Sequence, residues 1–355
     1  MNNAKYIGLD VHQATTVAAV LDAGGKLVLE AIVETKASTI LELIDAIRGE
    51  LNLTLEEGTW AAWLHDLLEP HVHRVVVCDP RKNALLKQGN KSDKIDARKL
   101  AELLRAGLLS PVYHHKGASL SLREAARSYL TLTQDASRVM SRIKAVYRGL
   151  GIACAGEKVY AARHRSEWLA KLGEPARRRR TERLYEQLDQ LLPLRQQARR
   201  DLLEESRKHA ATRWLRQIPY IGPVRAALLI ALMQTPHRFR TKRQLWAYCG
   251  LAVETRDSAE YCIRDGQLQR SRKWVRVRGL NPNRNAHLKQ LFKSTAISAS
   301  TKPGPLGDYY ARLLDKGIKP AMARLTLARK IAAITLVVWK KGERFDPTKL
   351  NMQAA

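Results

Sequence analysis

The feature that most limits how this chain can fold is a change of hydrophobic period within its first hundred residues. Residues 5–9, Lys-Tyr-Ile-Gly-Leu, read as a buried strand ending at Asp10. Residues 14–21 and 26–33 are β-branched and alternating, and Asp22-Ala-Gly-Gly25 between them is a hairpin signal. Three consecutive antiparallel strands are implied. From residue 38 the period changes, with Ile40, Leu41, Leu43, Ile44 and Ile47 at helical spacing. A short strand over 51–55 then delivers Glu56 and Glu57. A helix over 60–68, a strand over 74–78 and a helix from Asp93 complete the order β-β-β-α-β-α-β-α, so an α/β domain is expected over residues 1–115.

The last of these helices opens within Lys91-Ser-Asp-Lys-Ile-Asp-Ala-Arg-Lys-Leu100. Residues three apart share a helix face, so the carboxylates of Asp93 and Asp96 converge. Converging carboxylates suit a hard divalent cation such as Mg2+, which takes oxygen ligands and keeps several waters. The same residues suit a helix start, because acidic groups complement the dipole there and Ser92 is a capping type. A metal would need further ligands from elsewhere in the chain.

With 355 residues the chain can bury two or three domains without disulfide staples. Cys78, Cys154, Cys249 and Cys262 are scattered and form no CxxC pair, which argues against a zinc site or disulfide framework and fits a reducing cytoplasm. No charged-then-apolar leader opens the sequence. The apolar run over 331–339 is too short to span a bilayer and reads as a buried helix.

The charge is strongly uneven. Residues 1–115 carry 13 basic and 15 acidic side chains, whereas residues 116–355 carry 49 and 19. A near-neutral module thus precedes a body with a net charge of +30, which suits a polyanionic partner. Without a basic amphipathic anchor or a lipidation motif, nucleic acid is favoured over a membrane surface.

Residues 119–150 and 180–210 have long helical patterns, with breaks at Gly149-Leu-Gly151 and Glu174-Pro175. Over 116–210 they imply two antiparallel helices or a coiled coil able to pair between subunits, or a solvated bundle with no partner. Arg177, Arg178, Arg179 and Arg180 form a run that is either a solvated turn or a phosphate contact. Residues 212–233 read as helix, tight turn, helix, which resembles a helix-hairpin-helix. Its turn has Gly222, expected to tolerate φ > 0, and Pro223 at a first helical position; Gly222 and Arg225 are the candidate phosphate contacts. Residues 270–293 are basic with interspersed aromatics, and Arg272, Lys273 and Arg276 could follow a nucleic-acid backbone. A mainly helical domain is expected over 211–345, closing on a helix over 319–341, with a polar tail over 346–355.

The strand and helix order of residues 1–115, with acidic residues after the first and fourth strands and on the last helix, resembles the RNase H-like fold of RuvC-type nucleases and integrases. In that resemblance Asp10 ends the central strand, Glu56 lies on its neighbour, and Asp93 and Asp96 face both. Asp10 in Gly-Leu-Asp-Val-His-Gln, Glu56 in Leu-Glu-Glu-Gly-Thr-Trp, and the Lys-Ser-Asp-Lys-Ile-Asp-Ala stretch resemble more narrowly the DEDD-type transposases of bacterial insertion sequences, a family that includes bridge-RNA-guided recombinases. Where that family more often has Glu-x-Thr-Gly, this chain has Glu56-Glu57-Gly58-Thr59. Glu56 is preferred as the ligand and Glu57 is its rival.

The resemblance implies Mg2+ held by Asp10, Glu56, Asp93 and Asp96. It also implies a serine nucleophile that links covalently to DNA phosphate, and Ser258 is the matching position. A serine hydroxyl needs activation, and no base lies near it in sequence. Further implications are DNA partners at the element ends and target, a non-coding guide RNA, a homo-oligomer (dimer or tetramer) and a place at the nucleoid. The competing enzyme reading is a junction-resolving endonuclease of the RuvC kind, using the same carboxylates with water. An architectural nucleic-acid-binding protein would leave the four carboxylates unexplained.

Overall fold

The alternating stretches at the start of the chain pair into one sheet, and the helical stretches cover its two faces. The computed structural model describes residues 3–83, 92–114, 120–255, 261–270 and 277–350, and the chain divides into two units, Met1–Gly117 and Ala118–Ala355.

In the first unit, β1 (Ala4–Val11), β2 (Thr15–Leu21) and β3 (Leu27–Glu34) form an antiparallel meander. Then come α1 (Ala37–Asp45), β4 (Glu50–Glu56), α2 (Ala61–Leu68), β5 (Arg74–Cys78), the short α3 (Pro80–Asn83) and α4 (Asp93–Arg105). The strand order is β3-β2-β1-β4-β5, with β4 parallel to β1 and β5 parallel to β4. This mixed sheet is consistent with the RNase H-like expectation, and α3 is the one addition to the expected order. The hairpin signal forms its turn: the Gly25 N–H donates to the Asp22 carbonyl at 3.0 Å, with Gly25 at φ 88°, a left-handed value that suits glycine.

Strand side chains alternate between faces. Ile7, Leu9, Leu53 and Leu55 bury one face of the sheet with Ile40 and Ile44 of α1 and Leu64 and Leu68 of α2. The other face takes α4, whose Ala97 packs with Val17 and Ala19 of β2. The helix comes so close to β1 that a Cβ on Gly8 would lie 2.1 Å from the Ala97 carbonyl oxygen and 2.6 Å from the Ala101 nitrogen. Ser92 caps α4, accepting from the Ile95 N–H at 3.3 Å. A charged clamp fixes the helix against β3: Glu30 meets Lys94 Nζ at 3.0 Å and Arg98 Nη2 at 2.6 Å. Hydrogen bonds from Lys94 and Arg98 hold the Glu30 carboxyl below the ordinary glutamate value.

The second unit begins with α5 (Leu120–Arg148), α6 (Arg165–Ala170) and α7 (Pro175–Arg207). The long helices α5 and α7 run antiparallel within one chain: Tyr147 near the end of α5 meets Tyr185 near the start of α7, hydroxyl to hydroxyl at 3.2 Å. Tyr147, Val139, Ile143, Tyr185 and Leu188 share one core. Leu122 and Leu202, at the other end of the pair, belong instead to a core with α8 (Ala211–Leu215), α9 (Pro223–Met233) and α10 (Lys242–Tyr248). The helical pair and the C-terminal region are therefore continuous in packing.

The region expected to be mainly helical also contains strands. β6 (Val253–Thr255) pairs with β9 (Val277–Leu280), and β7 (Tyr261–Arg264) pairs with β8 (Gln267–Arg270). The β7–β8 turn has Asp265 at φ 52° and Gly266 at φ 73°, the backbone of a tight hairpin. Next come α11 (Ala286–Ser300), α12 (Pro305–Asp315) and α13 (Pro320–Lys341). The apolar run of 331–339 lies in α13 with Ile331, Ala332, Leu336 and Val338 buried, and no described helix is long and apolar enough to cross a membrane. The expected polar tail is partly packed, since Leu350 is buried in the same core.

Two outcomes follow from the docking of α4. Gly8→Ala should lower the stability of the first unit by about 2–3 kcal/mol, because backbone atoms must shift to admit the methyl group; the midpoint of urea unfolding of the full chain measures it. Glu30→Gln should destabilise at neutral pH. Because the folded-state pKa of Glu30 is depressed, the difference from wild type should persist above the ordinary value of 4.5 and shrink as pH falls below it. Unfolding curves of both proteins at a series of pH values read this directly.

Candidate metal centre and nucleic-acid surfaces

Strand register determines which carboxylates meet. In the parallel β1–β4 pair Gly8 lies opposite Thr54 and Leu9 opposite Leu55, so one step further brings Asp10 level with Glu56. Alternation sets both on the sheet face that α4 covers. From Gly8 to Asp10 the strand advances about 7 Å, and from Ala97 back to Asp93 the helix retreats about 6 Å. Asp93 therefore arrives over Asp10. At about 100° per residue, Asp93 and Asp96 lie on the β4 flank of α4, opposite the flank that Lys94 and Arg98 turn to β3.

Between the two aspartates stands a residue that sequence reasoning did not single out. His12 Nε2 is 3.4 Å from Asp10 Oδ2 and 3.6 Å from Asp93 Oδ1, and one ligand atom from each of the three residues lies within 4.8 Å of the others. The signal was its position in Asp10-Val-His12, one residue past the end of β1, where the alternation of the strand carried one step further sets His12 on the side of Asp10. Asp10 is the sheltered member at 22% side-chain exposure, while His12 at 50% and Asp93 at 61% open to solvent. Two carboxylates and an imidazole are donors that a divalent cation accepts, on a side a substrate phosphate can reach. Glu56 and Asp96, both half-buried, flank this group without entering its 4.8 Å circle.

Glu57 is engaged elsewhere. Its Oε2 lies 2.6 Å from His114 Nε2, and the His114 ring stacks on His65 with centroids 5.3 Å apart.

In the second unit the arginine run falls on helix rather than on a turn. Glu174 caps α7, accepting from the Ala176 and Arg177 N–H groups at 2.8 Å, and Pro175 occupies the first helical position. Arg177, Arg178, Arg179 and Arg180 are all exposed within the first two turns, and Arg178 pairs with Glu182 at 3.1 Å.

The turn before α9 differs from expectation. Gly222 is extended at φ −74° and ψ 179°, and the left-handed residue is Tyr220 at φ 66°. Arg225 explains the difference: its Nη1 donates to the Tyr220 carbonyl at 2.7 Å and braces the turn from inside. Arg225 is half-buried, and burial lowers its pKa. It lines a groove of about 620 Å³ between α5, α9 and α11 together with Arg138, His287 and Gln290. On α11, Lys289 is held below the usual lysine range by burial and then by the like charges of Arg284 and Lys293. Ser258, Arg272, Lys273 and Arg276 lie outside the described residues, Ser258 between β6 and β7 and the other three between β8 and β9.

Comparison with known proteins covers both units. A family model described as Transposase, of the IS110 DEDD type, matches residues 7–151, a span that contains Asp10, His12, Glu56, Asp93 and Asp96. A second, described as Transposase IS116/IS110/IS902 family, matches residues 212–311. The Insertion element IS116 uncharacterized 44.8 kDa protein of Streptomyces clavuligerus is 23% identical over 409 residues, covering 99% of this chain and 98% of that protein. With both family models in order along one chain and a carboxylate cluster inside the first, the chain belongs to the DEDD transposases of IS110-type insertion sequences, enzymes that cut and rejoin DNA.

Proposed function

We propose that this chain cuts and rejoins DNA at the ends of its insertion element, with Mg2+ held by Asp10, Glu56, Asp93 and Asp96, Ser258 as nucleophile, and an element-encoded RNA as guide. The observation that carries the reading is the meeting of Asp93 with Asp10 beneath the opening turn of α4, with Glu56 in register beside Asp10. Bound there, a divalent cation would offset the carboxylate charge and polarise a scissile phosphate. Asp10 holds the sheltered side of the site. Asp93 stands on the open side, where the phosphate approaches. The Ser258 hydroxyl attacks phosphorus, the bond to the leaving strand's oxygen breaks, and that oxygen takes up a proton. Attack by a strand hydroxyl on the serine phosphodiester reverses the step and rejoins DNA without an external energy source.

The basic surfaces support a polyanionic partner. Four exposed arginines lie within the first two turns of α7, an end where the helix dipole favours anions, and only Arg178 of the four forms a salt bridge among the described residues, with Glu182. Phosphates near Arg177–Arg180, the Gly222 turn with Arg225, and Arg272, Lys273 and Arg276 would account for them. Exchange between two duplexes requires several active sites, which favours a dimer or tetramer.

The test combines full-length protein, Mg2+, RNA from the element's flanks and labelled element-end duplex. A protein–DNA adduct that survives denaturation should form in wild type and be absent from Ser258→Ala. Asp93→Asn should reduce all cleavage by about 100-fold or more, and omission of the RNA should leave only background. Free cut ends without an adduct, unaffected by Ser258→Ala, would instead assign a water-using nuclease of the junction-resolving kind. Replacing Arg177, Arg178, Arg179 and Arg180 together by alanine should lower the slope of log affinity against log salt by about 3 to 4, measured by fluorescence anisotropy on duplex DNA.

A further inference from the structure

We propose that His12 is itself a ligand in this centre, so that its donor set mixes nitrogen with oxygen and prefers Mn2+ to Mg2+ more strongly than carboxylates alone would. The inference rests on the metal reading above and goes beyond it, since the four-carboxylate set includes no nitrogen.

Three observations carry it. His12 Nε2 lies 3.4 Å from Asp10 Oδ2 and 3.6 Å from Asp93 Oδ1, within ion-pair distance of both but beyond the range of a good hydrogen bond, so the imidazole stands between the two carboxylates. Among the described residues its ring makes no hydrogen bond at all. A cation with bonds of about 2.1 Å in octahedral geometry sets adjacent ligand atoms about 3 Å apart and opposite ones about 4.2 Å apart. The observed separations, all within 4.8 Å, need only a small closure to reach those values.

The backbone of His12 is also anchored as a ligand's should be. Its N–H donates to the Thr15 carbonyl at 2.9 Å, and its carbonyl accepts from Thr35 Oγ1 at 2.9 Å. Thr35 is tied in turn to Thr16, hydroxyl to hydroxyl at 2.9 Å. The β1–β2 turn thus presents the imidazole to the carboxylates while the ring stays half-exposed. Imidazole nitrogen binds first-row transition ions better than it binds Mg2+, which favours oxygen, so a nitrogen ligand shifts selectivity towards Mn2+.

The test loads the full chain with Mn2+ and records its pulsed electron paramagnetic resonance. Wild type should show the hyperfine coupling of a directly bound imidazole nitrogen, changing in character when the protein is grown with 15N-histidine. Labelling uses the unaltered protein, so the result does not depend on a variant folding. Asp10→Asn should abolish the signal, assigning the ion to this centre. His12→Ala should remove the coupling and weaken Mn2+ binding by about tenfold, with Mg2+ binding changed less than about twofold, both measured by titration calorimetry. Mn2+ that binds in an Asp10-dependent way without nitrogen coupling would overturn the role of His12 and leave the carboxylate centre standing. Absence of any Asp10-dependent Mn2+ binding would overturn the centre and this inference together.

Discussion

The contact between α4 and β1 at Gly8 is the constraint on which the candidate centre depends. No side chain separates the two backbones there, and this lets the strand's advance to Asp10 and the helix's return to Asp93 end at the same point. Metal–ligand distances are held to within about 0.2 Å, whereas a Cβ at Gly8 would push the helix backbone well beyond that. The clamp of Lys94 and Arg98 on Glu30 acts on the same variable from the β3 side. It fixes how α4 is rolled on the sheet, and so which flank carries its carboxylates.

Holding carboxylates together has a cost that the fold itself reduces. Asp93 sits in the first turn of α4, where the helix dipole stabilises a negative charge, and Ser92 caps the same turn. The two readings of Lys91-Ser-Asp-Lys-Ile-Asp, a helix start and a metal-ligand pair, are therefore complementary. A helix N-terminus is the place where an acidic pair costs least.

Most of the first unit was legible because local signals agreed: period-2 runs, a Gly-Gly turn and an acidic, serine-capped helix start all pointed to the elements that form. Which of Glu56 and Glu57 comes level with Asp10 was not, because it depends on the register between β1 and β4, residues some forty-five positions apart, and the Glu57 contact with His114 is likewise long-range. His12 is not marked by carboxylate spacing; its place beside Asp10 follows from its position just past the end of β1. At the turn before α9 the glycine drew the expectation, yet the left-handed residue is Tyr220, held by an arginine five residues on. The strands of 253–280 were missed for a different reason. Ile263 and Leu268 of the β7–β8 hairpin are more than 70% exposed, so no buried face imposed an alternating pattern, although Asp265-Gly266 is a hairpin signal.

The charge of the second unit is costly to its own fold. Arginines stand at the dipole's unfavourable end on α7, Arg225 is half-buried, and Lys289 is crowded by Arg284 and Lys293. Each places positive charge where a polyanionic partner would offset it. Anything that binds only the folded state stabilises it by mass action, so a polyanion would return most where self-repulsion is greatest. Residues 1–115, with 13 basic and 15 acidic side chains, carry no such excess. The charge excess that suits a nucleic-acid backbone thus lies in the helical unit, while the near-neutral sheet unit concentrates acidic side chains at one point.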